Sequence, residues 1–469
     1  MSTITQTPKT AKNDFRSITD AFIGQTGLPF ADVLPAERIA EIFEEEDAMF
    51  GEDAIFSTPI VLWTFLAQTL RDRKMASCHA AVEDIIVHKI QSCLQPPSGD
   101  TGDYCRARAK LDENALRRLA VEMAETLQQN VDAKHLRKGR HAKLVDGFTF
   151  TMPDTKANQA EYPHNPAQKA GVGFPIARAC VVLSLATACV LNLSICPYSG
   201  KKTGETALLR QMLDSFKSGD VVVFDRYFCS YMMIALLSAR GVDVCVRLHQ
   251  KRRSDFQQGT RLGENDHIIT WERPIKPEWM DTETYSTIPK TLQLREIRYH
   301  VQEPSRVDEL TVVTTLLDPR EYSTGDVAEL FGFRWNSELD IRDIKQTLNL
   351  DHVRCKSPAM VRRELWTTLL AYNLIRQTIV VAVTVHNKSP RRISFTGACQ
   401  SILSSWMLLS TGSSRDAQAM CTGLLRQIAS NTVADRPGRI EPRVLKRRRH
   451  RYPLMKKPRD HLKQELLKP

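Results

Sequence analysis

Residues 331–345, FGFRWNSELDIRDIK, constrain the possible fold of this chain more than any other stretch. At about 100° per residue, a helix here places five side chains inside an arc of about 80°: Phe331, Arg334, Glu338, Arg342 and Lys345. Beside this arc lies an apolar stripe: Leu330, Ile341, Ile344 and Leu348. A helix that buries the stripe holds one carboxylate among cations at the rim of the core, which suits metal ions and phosphate. A surface helix with i,i+4 ion pairs explains the same pattern.

The charge of the chain is positive and unevenly distributed. The 469 residues carry a formal net charge of +11, and residues 436–469 hold 13 Lys and Arg against 3 Asp and Glu. The contents of 42% hydrophobic and 25% charged residues are typical of a globular protein, and the length predicts two to four domains. The basic tail predicts a polyanionic partner, and a solubilising tail is the alternative.

Cysteine usage and hydropathy predict a cytoplasmic protein. The eleven cysteines form no CxxC pair, which favours reduced thiols and argues against structural zinc. The N-terminus MSTITQTPKT lacks the order of a signal peptide. The uncharged stretch from Ala179 to Gly200 is long enough to cross a bilayer, but apolar and polar residues alternate over 191–196 and the stretch ends in a turn. We therefore predict two buried strands there and no membrane contact.

Two aspartates lie in or directly after predicted buried strands. Leu144 to Phe150 is β-branched and aromatic, and Asp146 lies inside it. A carboxylate there is costly unless it is paired or bound to a cation, so Asp146 is a candidate metal ligand; an Asp-Gly hairpin turn is the alternative. The run Val221–Phe224 ends at Asp225, at the edge of the sheet where ligands bind in α/β folds. Asp225 as the cap of a helix that starts near Ser230 is the alternative.

Three residues of the first stretch match a family signature. Arg334, Glu338 and Lys345 have the spacing R-x3-E-x6-K. This spacing resembles the Y-x2-R-x3-E-x6-K signature of the DDE transposases of bacterial insertion sequences. Phe331 stands where the family has Tyr, so the hydroxyl of that Tyr is absent. The resemblance extends over separate segments from about residue 146 to residue 376.

The resemblance implies a fold and a domain order. We expect an α/β protein with a ribonuclease-H-like catalytic core, a mainly β insertion, an N-terminal helical domain and a C-terminal helical region. The expected segments are 1–134 (helical, a candidate DNA-binding domain), 135–250 (first part of the core), 251–322 (insertion), 323–388 (core completion), 389–435 (helical) and 436–469 (basic tail). The periodicity within 1–134 favours helices at 58–74, 78–93 and 112–127, which suit either a DNA-reading or a dimerisation module.

The resemblance also implies a reaction and its cofactors. Asp146, Asp225 and Glu338 are expected to be catalytic and to hold two Mg²⁺ or Mn²⁺ ions, whose preferred ligands are hard oxygens. The expected reaction is cleavage at the ends of an insertion sequence followed by strand transfer into target DNA. No nucleotide cofactor is expected, because the segment KKTGETALLRQMLDSF is predicted to be an amphipathic helix and lacks the order of a phosphate-binding loop.

The expected partners are double-stranded DNA, as element ends and target, and a second copy of the chain in the DNA complex. The expected DNA-binding cations are Arg334, Lys345, Arg342, Arg354 and Lys356. An aromatic residue of the insertion could stack on an unpaired base; Trp271 and Trp279 are the candidates, and a core position is the alternative for each. The segment MPDTKANQAEYP resembles a subset of the family but gives no role for Asp154, Asn158 or Gln159.

Two other function classes are compatible with the same residues. One is a DNA-binding protein that keeps the fold but does not cleave, and the presence of all three acids argues against it. The other is a nuclease of the same fold that hydrolyses DNA without joining strands. An assay of cutting and joining in the presence of Mg²⁺ distinguishes the three classes.

Overall fold

The computed structural model describes residues 36–51, 54–91, 95–169, 171–303, 306–409, 414–434 and 453–467. Most of the predicted basic tail, residues 436–452, lies outside these ranges. The described chain is mixed α/β. Its strands are β1 Ala142–Thr151, β2 Ile176–Ser184, β3 Val190–Pro197, β4 Val221–Phe224, β5 Asp243–Arg247, β6 Thr260–Gly263, β7 Asp266–Glu272, β8 Thr291–Glu303 and β9 Arg306–Thr314.

The α-helices precede, separate and follow these strands. They are α1 Ala36–Glu45, α2 Thr58–Thr69, α3 Cys78–Gln91, α4 Gly102–Arg108, α5 Glu113–Gln129, α6 Lys156–Glu161, α7 Glu205–Arg210, α8 Tyr231–Ser238, α9 Thr282–Thr287, α10 Thr324–Gly332, α11 Trp335–Arg342, α12 Pro358–His386, α13 Phe395–Leu409, α14 Ser414–Ser430 and α15 Arg459–Leu466. The predicted N-terminal helices are confirmed as α2, α3 and α5, with small differences at their ends. The helix predicted over KKTGETALLRQMLDSF is shorter, because α7 ends at Arg210.

One sheet contains all nine described strands, in the order β3-β2-β1-β4-β5-β9-β8-β7-β6. The strands β1, β4 and β5 are parallel, and β9 to β6 continue the sheet with antiparallel pairs. The uncharged stretch forms β2 and β3, which confirms the prediction of two strands. The strand-like pieces of the predicted insertion are β7, β8 and β9, and β9 pairs directly with β5.

The chain divides into two compact units, each assembled from three segments. One unit contains 1–139, 183–192 and 339–433, and its described part is mainly helical. The other contains 140–182, 193–338 and 434–469, and it holds most of the sheet. The units therefore do not follow the linear order of the predicted segments, because each is completed by chain that returns from a distant position.

The helical unit is organised around α12. This is the one described helix that is long and apolar enough to cross a membrane, but 78% of its most apolar stretch is buried inside the protein. Its Asn373 is fully buried: the side-chain amide donates to the carbonyls of Ala120 and Val190 and accepts from the Val190 amide at 2.8–3.0 Å. The hydrophobicity of α12 is thus explained by its position in a protein core.

The stretch 331–345 is not one continuous helix, so that prediction was wrong. Helix α10 ends at Gly332, a turn follows, α11 begins at Trp335, and residues 343–347 form a π-helical turn. At the break, the Arg334 amide donates to the Phe331 carbonyl, and the Asn336 side chain donates to the Phe333 carbonyl at 3.0 Å. Glycine has low helix propensity and Asn side chains compete for backbone groups, which explains the break.

The second half of α11 is fixed by a buried ionic network. Asp340 is 2% exposed and accepts from Arg391 Nη1 at 2.7 and 2.8 Å and from Arg376 Nη2 at 3.2 Å. Arg376 also donates to Asp343 at 3.0 Å, and Arg391 donates to the carbonyls of residues 184 and 185. The buried Arg376 and the half-buried Arg391 therefore hold α11 at Asp340, two residues after Glu338.

We predict that Asp340→Ala lowers the free energy of unfolding by about 3–5 kcal/mol, because the buried guanidinium group of Arg376 and the half-buried one of Arg391 lose their shared carboxylate. Chemical denaturation of the purified protein measures this change. The control is Asp318→Ala, which removes a solvent-exposed partner of Arg320 and should leave stability unchanged. Equal stability of the two variants would contradict a structural role for the network.

Candidate active site

Strand register places Asp146 and Asp225 side by side. In the parallel pair β1–β4, Val145 is the partner of Phe224. Asp146 follows Val145 within β1, and Asp225 follows Phe224 directly after the end of β4. Neighbouring strands are about 4.8 Å apart. The strand β1 continues to Thr151, so the alternative of a hairpin turn at Asp146-Gly147 is wrong. Two aspartates distant in sequence therefore occupy adjacent backbone positions at one end of the β1–β4 pair.

Asp225 does not cap the helix that follows it. The Ser230 hydroxyl caps α8 by accepting from the Met233 amide at 3.3 Å, and Asp225 precedes a short 3₁₀ turn without a side-chain capping bond. Among the described residues, the Asp225 carboxylate has no hydrogen-bond or ion-pair partner. The capping alternative is therefore wrong, and this acid is open to another ligand.

Asp146 is half-buried and supported by hydrogen bonds. Its Oδ2 accepts from the Ser337 hydroxyl at 2.8 Å, and its Oδ1 accepts from the Gly147 amide at 2.8 Å. Burial raises the pKa of Asp146, while these hydrogen bonds and the nearby Arg334 oppose the rise. Ser337 belongs to α11, so this hydroxyl connects the strand of the first acid to the helix of the third.

Arg334 lies between the first and third acids. Its Nη2 donates to Glu338 Oε1 at 2.9 Å, and its Nη1 lies 3.9 Å from Asp146 Oδ2. The guanidinium also lies 5.3 Å from the ring centre of Trp335, which is 52% exposed. The predicted ion pair between Arg334 and Glu338 is thus present, and the same cation also faces Asp146.

Asp146 is related to each of the other two acids, but the three do not form one cluster. The described residues contain no group of three His, Cys, Asp or Glu side chains arranged to hold a metal ion. Strand register places Asp146 beside Asp225. The Arg334 guanidinium group faces both Asp146 and Glu338. The donor atoms nevertheless suit Mg²⁺ or Mn²⁺, because all are carboxylate oxygens and Asp225 is unpaired in the described chain. The catalytic and metal-binding roles of these acids stay predictions.

The other predicted DNA-binding cations occupy the helical unit. Lys345 donates to Asp351 at 2.8 Å, and Arg342 is exposed at the end of α11. Arg354 Nη2 donates to the Arg71 carbonyl at 3.1 Å, and Lys356 is exposed. Arg342 and Lys356 are therefore accessible to solvent. The guanidinium group of Arg354 instead joins two segments of its own unit through its hydrogen bond to the Arg71 carbonyl.

The two tryptophans of the insertion differ in exposure. Trp271 is 5% exposed, with Arg252 at 3.7 Å from its ring centre, so its core alternative is confirmed. Trp279 is 38% exposed, and Arg210 lies 3.9 Å from its ring centre. Only Trp279 of the pair keeps a surface on which a base could stack.

Residues after β1 brace a local segment. The Gln159 side chain donates to Asp154 at 2.8 Å and to the Gly173 carbonyl at 3.0 Å, and it accepts from the His164 amide. Asn158 is fully buried and donates to the Pro153 carbonyl at 3.1 Å. The structure therefore gives these residues a structural role that their sequence did not reveal.

Sequence reasoning missed two residues beside the acids. Ser337 is fully buried, but a serine between charged residues of a helix gives no signal of its contact with a distant strand. Glu205 begins α7 and lies against Gly147, the residue after Asp146. An acid in the first turn of a helix normally indicates only a favourable interaction with the helix dipole.

Comparisons with known proteins found a family model, a sequence relative and a solved structure that are similar to this chain. A family model described as "Transposase DDE domain" matches residues 137–374. The transposase InsG for insertion sequence element IS4 of Escherichia coli (strain K12) is 25% identical over 431 residues, which are 90% of this chain and 92% of that protein. A cryo-EM structure of the piggyBac transposase synaptic complex with hairpin DNA covers 90% of this chain and 86% of its own, with 11% identity and a TM-score of 0.42.

The family match covers half of the chain and contains Asp146, Asp225 and Glu338. It coincides with the region from about 146 to 376 in which the sequence resembles insertion-sequence transposases, so that prediction is confirmed. The chain belongs to the DDE transposase family and is an enzyme of DNA transposition.

Proposed function

We propose that this transposase uses Asp146, Asp225 and Glu338 to hold two divalent cations for cleavage at element ends and strand transfer into target DNA. The observation that carries the proposal is the register of β1 and β4, which sets two of the acids side by side. When bound, Mg²⁺ or Mn²⁺ ions supply Lewis-acid stabilisation of charge on the attacking and leaving oxygens of a phosphoryl transfer. The residues of the chain orient the substrate and balance charge.

The balance of charge supports a cation at this position. Burial and the nearby Glu338 disfavour the ionised form of Asp146, which a positive ligand would stabilise. Asp225 has no partner among the described residues, and the side chain of Glu338 is 44% exposed. Glu338 is thus free to turn on α11 toward the two aspartates once Arg334 finds another partner.

The phosphate backbone of DNA is the partner that we propose for Arg334. A planar guanidinium binds a phosphate through two parallel hydrogen bonds, as it does a carboxylate. When DNA binds, the Arg334 guanidinium group would move away from Asp146 and Glu338 to a phosphate. Both carboxylates would then be available to bind the cations. Lys345, Arg342, Arg354 and Lys356 are proposed to contact further phosphates.

We propose that the core is ribonuclease-H-like. Support comes from the strand order β3-β2-β1-β4-β5, in which β1, β4 and β5 are parallel, and from the return of the chain to α11 after the inserted strands. The proposed partners are double-stranded DNA and a second copy of the chain, because strand transfer joins two element ends. Residues 1–134 are proposed to contact DNA, with dimerisation as the alternative role, and the protein is proposed to act at the bacterial nucleoid.

One assay separates the proposed reaction from its alternatives. Purified protein is incubated with Mg²⁺, a target plasmid and labelled duplexes that carry the ends of the encoding element. Cut ends joined to the plasmid support the proposal. Cut ends without joining indicate a nuclease, and binding without cutting indicates a DNA-binding protein that has lost catalysis.

We predict that Asp146→Asn, Asp225→Asn and Glu338→Gln each lower the cleavage rate about a thousandfold or more. Cation binding contributes several kcal/mol of transition-state stabilisation, and each 1.36 kcal/mol is tenfold in rate. Single-turnover cleavage measures the loss, and fluorescence anisotropy should show that DNA affinity persists. The control Asp318→Asn changes an exposed acid and should cleave normally. Undiminished joining by any of the three variants would refute the role of that acid.

We predict that Arg334→Ala weakens DNA binding and reduces the slope of log affinity against log salt by about one, because one phosphate contact is lost. Anisotropy titrations at several NaCl concentrations measure the slope. Arg334→Lys should restore the slope but not the cleavage rate, since lysine lacks the planar fork. Arg320→Ala is the matched control because Arg320 is 90% exposed and paired only locally. An Arg334→Ala slope equal to that of the wild type would exclude the phosphate contact.

A further inference from the structure

The hydroxyl group of Ser337 lies between Asp146 and the start of α11. It is 2.8 Å from Asp146 Oδ2 and 2.7 Å from the Arg334 carbonyl oxygen, and Ser337 is fully buried. A hydroxyl group has one proton to donate, so it can serve one of these two acceptors at a time. The two acceptors therefore compete for a single donor at a position that solvent does not reach.

The Arg334 carbonyl group does not depend on this hydroxyl group. It already accepts a hydrogen bond from the Ser337 backbone amide at 3.0 Å, which closes the first turn of α11. Serine hydroxyl groups often bond to a nearby backbone carbonyl, so this second contact is an ordinary local one. The contact with Asp146, which is 191 positions away in the sequence, is the one that the local structure of the helix does not explain.

The orientation of the Asp146 carboxylate depends on two uncharged donors. Its Oδ1 accepts from the Gly147 amide and its Oδ2 accepts from the Ser337 hydroxyl, each at 2.8 Å. Arg334 Nη1 is 3.9 Å from Oδ2, which is beyond hydrogen-bond distance. One donor on each oxygen fixes the plane of the carboxylate and leaves a further lone pair on each oxygen. Without the hydroxyl group, Oδ2 would have no hydrogen bond from the described residues, and the carboxylate could rotate.

We propose that Ser337 is a positioning residue that holds the Asp146 carboxylate in the orientation that the reaction requires. The inference rests on the proposed catalytic role of Asp146. Ser337 directly precedes Glu338, so one residue ties the backbone of the third acid to the side chain of the first. Partners that orient catalytic carboxylates through hydrogen bonds are typically worth about 10–100-fold in activity.

Substitutions of Ser337 that differ in hydrogen-bonding capacity test this role in the full-length protein. Ser337→Ala removes the donor, Ser337→Cys offers a weak donor, and Ser337→Thr keeps the hydroxyl group and adds a methyl group. We expect the single-turnover cleavage rate of saturating labelled end DNA to fall about 10–100-fold for Ala and Cys, and by less than about tenfold for Thr. DNA affinity measured by fluorescence anisotropy should equal that of the wild type, because the proposed role involves no contact with DNA.

The control is Ser57→Ala, which removes another fully buried serine hydroxyl group, one that has no hydrogen-bond partner among the described residues. This variant should cleave DNA at the wild-type rate. A wild-type rate for Ser337→Ala overturns the proposal. A Ser337→Ala variant that does not fold also overturns it, because the hydroxyl group is then required for the fold itself.

The order of the variants separates hydrogen bonding from packing. If Ser337 only fills space, Ser337→Cys cleaves like the wild type and Ser337→Thr is the slowest variant, and this order contradicts the proposal. A folded Ser337→Thr variant that cleaves no faster than Ser337→Ala contradicts it as well. If the added methyl group prevents Ser337→Thr from folding, the other two variants decide: slow cleavage by both supports the proposal, and a wild-type rate for either overturns it.

Asp146→Asn separates this inference from the proposed function. Slow cleavage by Asp146→Asn with a wild-type rate for Ser337→Ala overturns the role of Ser337 and leaves the proposed function intact. A wild-type rate for Asp146→Asn contradicts both, because Ser337 is proposed to act through Asp146. Slow cleavage by both variants with unchanged DNA affinity supports both.

Discussion

The parallel pairing of β1 with β4 is the constraint on which the rest of the structure depends. A slip of one residue would turn the side chains of one strand to the opposite face and separate Asp146 from Asp225. The register is fixed by a buried pair at the start of the strands: Lys143 Nζ lies 2.6 Å from Asp220 Oδ2 and also donates to the Ser215 carbonyl. Lys143 and Asp220 are 4% exposed, so a slipped register would leave two buried charges unpaired.

The acids of the candidate site differ in whether a basic residue compensates their charge. Arg334 compensates Asp146 and Glu338, whereas the Asp225 carboxylate has no hydrogen-bond or ion-pair partner within the described chain. Proteins rarely bury carboxylates without compensation, because desolvation of the ionised form is costly. The excess negative charge lies where strand register concentrates the acids, and the cation-dependent chemistry that we propose for this transposase would make use of it.

Local sequence patterns predicted much of the fold. The alternating stretch near residue 190 became two strands, and the β-branched run Val221–Phe224 became a strand with those bounds. The continuous helix over 331–345 failed, because a turn after Gly332 interrupts it and a π-helical turn follows Arg342. Amphipathic periodicity predicts which side chains share a face of a helix. It cannot reveal a short break in the helix after which the apolar side chains are still buried.

The sequence by itself determined that acids would stand in or at the ends of buried strands and that Arg334 would reach Glu338, because these relations depend on residues a few positions apart. Tertiary structure alone decided that β1 lies beside β4, that Ser337 reaches Asp146, and that Glu205 takes the space a side chain at Gly147 would need. These contacts join segments tens to hundreds of residues apart. Their geometry follows from packing and register, and no local propensity encodes either.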